Sequence, residues 1–207
     1  MKNKRLSDKK QKPAPEKFDP FNDRLCRDIR NSLSDAFMVS LKQKDAGRRY
    51  LDLSQKWLNK ELASVYKDYI QDRVQRYDRA SQRFQQKRIN NARIQAAVLW
   101  NDGLFFEVHD ILEDIWHKTQ GDERQAIQGL IKAAGVYVHL ESDRLNSAER
   151  LALKSVRLLK EYEQALGFIS NLNELISALE ICDPVPPTLR FSSPAQERNK
   201  YGIQADR

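Results

Sequence analysis

The sequence predicts an all-α fold, a multi-helix bundle built around a central antiparallel helical hairpin. Three observations carry that expectation. No proline occurs between Phe21 and Cys182. Glycine is absent from Arg48 through Asp102. Across the same region apolar residues recur every three or four positions, the spacing that lines one face of a helix.

Taken in order, the first helix is expected to start at Asp19-Pro20, an N-cap followed by proline at the first helical position. Phe21, Leu25, Ile29, Leu33, Phe37 and Leu41 then step by four along one stripe. Asp45-Ala46-Gly47 should end it. Tyr50, Leu51, Trp57, Leu58, Leu62, Tyr66, Ile70, Val74, Tyr77 and Phe84 continue the periodicity over one long helix or two, with a break weakly marked near Asn59 or around Asn90-Asn91. Ile94 to Trp100 leads to a turn at Asn101-Asp102-Gly103. The hairpin follows, residues 103–118 and 122–141, broken at Thr119–Gly121. Asn146-x-x-Glu149 has the spelling of a capping box and opens a helix through Leu151, Val156, Leu159 and Tyr162. A last short helix spans Asn171 to Ile181.

Composition divides the chain further. Of the 207 residues, 40% are hydrophobic and 31% charged, enough for one core under a heavily solvated exterior. Residues 1–20 are Lys- and Pro-rich and are expected to form a disordered basic tail. Residues 21–89 form a basic helical region, 90–182 a second helical region, and 183–207 a Pro-rich, extended C-terminal tail partly laid against the body. Residues 1–100 carry 24 Lys and Arg against 12 Asp and Glu, whereas residues 101–207 carry 12 against 17. A basic half of this kind can face a polyanion or attract the acidic half. Cys26 and Cys182 lie far apart and form no metal-binding spacing, which fits a reducing cytoplasm. No apolar run approaches the roughly 20 residues that span a bilayer. The expectation is a soluble cytoplasmic protein.

All three histidines lie between residues 100 and 141. On a helical wheel, Leu104, Phe105, Val108, Ile111, Leu112, Ile115 and Trp116 fill one apolar arc. His109 and Glu113, four apart, sit together at its edge beside Trp116. Glu107, Asp110, Asp114 and His117 fall on the opposite side, where solvated charges are expected. On the second helix Arg124, Gln128, Ile131, Gly135 and His139 share a stripe, and the rest of the circumference is apolar. A helix of that kind is buried, so its polar stripe should be buried or line a cleft. Gly129 and Gly135 suggest close approach of another backbone or of a ligand. Antiparallel pairing brings Glu113 within reach of Arg124 and Gln128, and leaves His139 about 10 Å from His109 by helix rise.

Three chemistries suit this cluster. One is a buried polar network with a structural Glu113–Arg124 ion pair. A second is a small-ligand or divalent-metal site using His109, Glu113, Gln128 and His139, since HxxxE places imidazole and carboxylate on one helix face. A third is acid–base catalysis with His109 as base and Glu113 orienting it. No Ser or Cys nucleophile lies near in sequence, so no reaction is assigned and the catalytic residues stay unknown. Separately, Arg76, Arg79, Arg83 and Lys87 form a basic stripe beside Tyr77 and Phe84. With the Lys-rich tail it makes an interaction or nucleic-acid-binding module the alternative function; the same stripe also reads as a solvated face partly neutralised by Asp68 and Asp72.

The run from Trp100 to Trp116, with Asn101-x-Gly103, Phe105-Phe106-Glu107-Val108-His109-Asp110 and Glu113-x-x-Trp116, resembles the signature of domain-of-unknown-function family 309. Arg124, Gln128-Gly129-Leu130-Ile131 and His139 match its second half. Val108 stands for the usual Ala and Asp110 for the usual Glu, and the joint before Asn146 is shorter. The resemblance covers roughly residues 90–162. It implies a compact all-helical fold with no established activity, and it implies nothing for the first ninety residues.

Overall fold

A computed structural model describes residues 15–43 and 47–191. Most of the expected basic tail, the Asp45-Ala46 end of the first helix and the chain from residue 192 onward lie outside these residues. Eight α-helices follow one another: α1 (Arg24–Lys42), α2 (Arg49–Leu58), α3 (Ser64–Gln86), α4 (Ala92–Asn101), α5 (Phe105–Trp116), α6 (Gly121–Leu140), α7 (Leu145–Glu161) and α8 (Leu172–Glu180). A 3-10 turn, Glu163–Leu166, joins the last two. Among the described residues there is no strand, only an isolated antiparallel bridge between Ile169 and Phe191. No helix among these residues is long and apolar enough to cross a membrane.

The expected elements are present, with shifted ends that have local causes. The first helix starts at Arg24, after Asp23, whose carboxylate accepts from the Cys26 amide at 2.8 Å. Asp19 instead closes the preceding turn, accepting from the amides of Phe21 at 2.9 Å and Asn22 at 3.3 Å. A short polar side chain that binds the backbone two residues on makes such a turn without help from a helix. The long apolar run splits into α2 and α3 after Asn59, and Asn91 caps α4 by accepting from the Arg93 and Ile94 amides. The capping box at Asn146 does not form. Asp143, at φ 54°, ends the preceding helix, with the Arg144 amide donating to the His139 carbonyl. That turn launches α7 at Leu145, so Asn146 is already helical and its side chain caps nothing.

One hydrophobic cluster runs through the whole described chain. Ile29, Leu33 and Phe37 of α1 are fully buried, as their four-residue step requires. Phe37 stacks on Tyr77 of α3 at 4.1 Å between ring centroids, and Tyr50 of α2 meets both rings edge-on. Each such side chain stabilises the fold by about 1.5–3 kcal/mol through burial alone. In the second half, Phe105 and Tyr137 stack at 5.0 Å while Trp100 closes them from the side. α6 packs most extensively on α7 and next on α5, from which a four-residue connection separates it. The chain after Asp183 is strapped over the end of α4. Trp100 Nε1 donates to the Pro187 carbonyl at 2.9 Å, and Asn101 exchanges two hydrogen bonds with the Leu189 backbone.

Candidate functional site

The α5–α6 hairpin opens on one side into a cavity of about 430 Å³. His109 and Glu113 of α5 line it, and so do Gln128 and His139 of α6, four of the residues the helical wheels single out. Gly135 lies between Gln128 and His139 on the same wall, and Leu151 of α7 fills the space that its missing side chain leaves. A Cβ built at Gly135 would come within 2.7 Å of the Leu151 Cδ2. Phe106 and Trp116 of α5 supply apolar wall, and Phe21 and Arg30 come across from the start of the chain.

His109 stands between two carboxylates. Its Nδ1 is 3.7 Å from Asp110 and its Nε2 is 3.8 Å from Glu113. Asp110 is itself anchored to α1, accepting from the Ser34 hydroxyl at 3.0 Å. The Asp110 carboxylate raises the imidazole pKa above its ordinary value and Glu113 adds to this, with burial working in the opposite direction. His139 is the reverse case. Its ring stacks on Phe21 at 4.9 Å, and its buried Nδ1 finds no hydrogen-bond partner. Burial lowers its pKa and the cations Arg144 and Arg150 lower it further. One cavity therefore carries one imidazole biased toward its proton and one biased against it.

The expected Glu113–Arg124 ion pair is absent among the described residues. Arg124 instead lies over the Trp116 ring, 3.7 Å from its centroid, and Glu113 faces His109. An aromatic face takes a guanidinium without desolvating a carboxylate, and Trp116 is one turn nearer to Arg124 than Glu113 is. Asp114 pairs with Lys42 of α1, and His117 is exposed past the end of α5, as expected.

Glu107 overturns its expected place. The wheel puts it on the solvent side, yet its exposure is 0%. The side of α5 turned away from α6 is covered by α1 and α3, so no face of the helix at this point is open. The Tyr77 hydroxyl donates to Glu107 Oε1 at 2.5 Å, and Arg73, 5% exposed, stands 3.6 Å from Oε2. Arg73 also donates to the Gly103 carbonyl at 3.3 Å and stands 3.7 Å from Glu141. Burial works against its charge, but the oxygens of Tyr69, Glu107 and Glu141 outweigh it and hold the guanidinium pKa well above its ordinary value. These contacts tie α3 to α5 and α6.

The basic stripe of α3 is partly spent on the chain itself. Arg76 pairs with Asp72 at 2.9 Å and donates to the Asp102 and Gly103 carbonyls, and Arg83 pairs with Asp102 at 2.9 Å. Gly103, at φ 67°, is required here twice over. The turn needs that left-handed backbone, and a Cβ would sit 2.5 Å from Arg76 Nη1. Among the described residues Arg79 and Lys87 form no ion pair, and Lys87 is exposed.

Sequence reasoning missed Phe21 and Arg30 because they reach the cavity from α1 and the turn before it, which no wheel of α5 or α6 can place. Lys132 lay one turn beyond Gln128 and could have been read from that spacing. His109, Asp110 and Glu113 also offer three donor atoms within 4.8 Å of one another, a spacing compatible with one metal ion. Comparison with curated proteins and with solved structures yields no match. The family model described as Domain of unknown function (DUF309) matches residues 94–151, from α4 into α7, a segment that holds His109, Glu113, Gln128 and His139 and excludes Phe21 and Arg30.

Proposed function

We propose that this protein binds a small ligand in the cavity between α5, α6 and the start of α1. The observation that carries this reading is the convergence of His109, Glu113, Gln128 and His139 on one cavity, where polar groups from two helices meet an apolar wall of Phe106, Trp116 and Ile131. A concave, mostly apolar space with a few convergent polar groups is the usual form of a small-molecule site. A volume of about 430 Å³ falls within the range of about 300–1,000 Å³ usual for small-molecule sites. The test is ligand-observed NMR of a fragment library against the full chain. Hits should lose affinity on His109→Ala and on Gln128→Ala, with the circular dichroism spectrum unchanged. A library whose hits are all indifferent to both substitutions would end the reading.

A second reading, a divalent cation held by His109, Asp110 and Glu113, is favoured by the spacing of their donor atoms. It predicts stoichiometric metal in the purified protein by plasma mass spectrometry, lost on His109→Ala. Metal-free protein that also ignores added zinc and manganese excludes it.

A further inference from the structure

We infer that the cavity selects an organic anion, its acidic group held between Arg30 and Lys132 and its apolar body laid against Phe106 and Trp116. The inference rests on the small-ligand reading above and adds the chemical class of the ligand. Charge inside the cavity is unbalanced. Its one acid, Glu113, faces His109 at 3.8 Å, with Asp110 on the other side of the imidazole and outside the lining. Arg30 and Lys132 line the same cavity, and among the described residues neither forms an ion pair.

Arg30 is the more telling of the two. Its guanidinium lies 4.0 Å from the centroid of Phe106 and 6.0 Å from that of Phe21, so aromatic faces hold it in place. Its Nε and Nη2 both donate to Asn31 Oδ1, at 3.1 and 3.0 Å, which leaves Nη1 without an acceptor among the described residues. Burial lowers its pKa, and the Tyr69 oxygen and the Glu107 and Asp110 carboxylates oppose this only in part, none of them forming an ion pair with it among the described residues. A positioned guanidinium with an open donor edge suits the planar oxygens of a carboxylate, and suits phosphate or sulfonate oxygens as well. Two cations in one half-enclosed space disfavour a free metal cation by the same Coulomb term that favours an anion. Arg30 lies outside the family-matched segment and Lys132 inside it, so the N-terminal half would supply one of the two cations.

The probes are 1-naphthoate and its uncharged methyl ester, titrated into the full-length chain. Occupancy is read from the Trp116 indole resonance, assigned with Trp116→Phe. The expected result is binding of 1-naphthoate, weakened by added salt, with the ester at least tenfold weaker. Arg30→Gln and Lys132→Gln should each lower naphthoate affinity about tenfold, the loss of one charge-assisted contact of about 1.4 kcal/mol. Ester binding should stay within about twofold of its original value in both variants, which also reports an intact cavity. If Arg30→Gln fails to fold, Lys132→Gln carries the test alone. Equal binding of acid and ester, with both moving the Trp116 resonance, overturns the anion inference and leaves the small-ligand reading in place. If neither probe moves that resonance, the anion inference falls, and the fragment screen alone decides the small-ligand reading.

Discussion

At the scale of single residues, two imidazoles share one cavity and differ in what surrounds them. His109 has Asp110 at Nδ1 and Glu113 at Nε2; His139 has an aromatic ring on its face and the cations Arg144 and Arg150 around it. The raised His109 pKa means that its protonated form stabilises the fold fully below the unfolded value of 6.5, and that this contribution disappears as pH climbs through the folded value. The lowered His139 pKa acts with the opposite sign. Below pH 6.5 the unfolded chain takes up that proton before the folded one does, so stability falls as pH drops toward the folded value. Side-chain nitrogen NMR of the two rings should show His109 titrating above 6.5 and His139 below it. A shared midpoint near 6.5 would mean that these surroundings are wrong. His109 and His139 were legible in the sequence, because an apolar helix advertises its few polar positions. Glu107 was not. A wheel ranks the faces of one helix, and only the arrival of Arg73 and Tyr77 from α3 makes the outer face of α5 an interior.

At the scale of helices, the two glycines of α6 solve different problems. Both were readable as sites of close approach, but not which neighbour approaches. At Gly129 a Cβ would meet Leu159 Cδ2 at 2.9 Å, Leu159 Cγ at 3.2 Å and Leu158 Cβ at 3.2 Å. Leu159 is fully buried, and the Ser155 hydroxyl donates to the Gly129 carbonyl at 2.8 Å, pinning α7 against α6. Neither neighbour can retreat, so Gly129→Ala should destabilise the protein by about 1–3 kcal/mol through overpacking, despite a gain in helix propensity of about 1 kcal/mol. At Gly135 the obstruction is the tip of Leu151, a partly buried side chain at the cavity wall. That tip can rotate, so Gly135→Ala should stay within about 1 kcal/mol of the parent and shrink the cavity instead. Urea denaturation of both variants decides between these accounts, since equal effects would show that the α6–α7 spacing is not fixed by Gly129. Helix existence was plain from the apolar period, whereas helix ends were not. The Asn146 capping box failed because the preceding helix ends in a left-handed Asp143 that no local spelling announces.

At the scale of the whole molecule, the family-matched segment does not hold its own core closed. Glu107 lies inside the match, but Tyr77, which donates to it, and Arg73, the cation beside it, lie outside. The same is true of Ser34, which holds Asp110, and of Phe21 and Arg30 at the cavity. Composition divides the chain near residue 90, yet a single apolar cluster and a buried ion pair cross that point. The full chain is therefore expected to unfold in one cooperative transition, with the helix signal and the tryptophan signal melting together. Arg73→Met tests the tie directly. It leaves the Glu107 carboxylate buried with only the Tyr77 hydroxyl, and removing one partner of such a pair typically costs about 3–5 kcal/mol. Replacing both partners is different, because an apolar pair of similar volume carries no stranded charge. Arg73→Met combined with Glu107→Leu should thus recover a large part of the loss, read as a positive coupling in a double-mutant cycle by urea denaturation. If the double variant is instead as unstable as the sum of the two single ones, the bond between the halves lies in packing, and the charges at its centre are incidental to it.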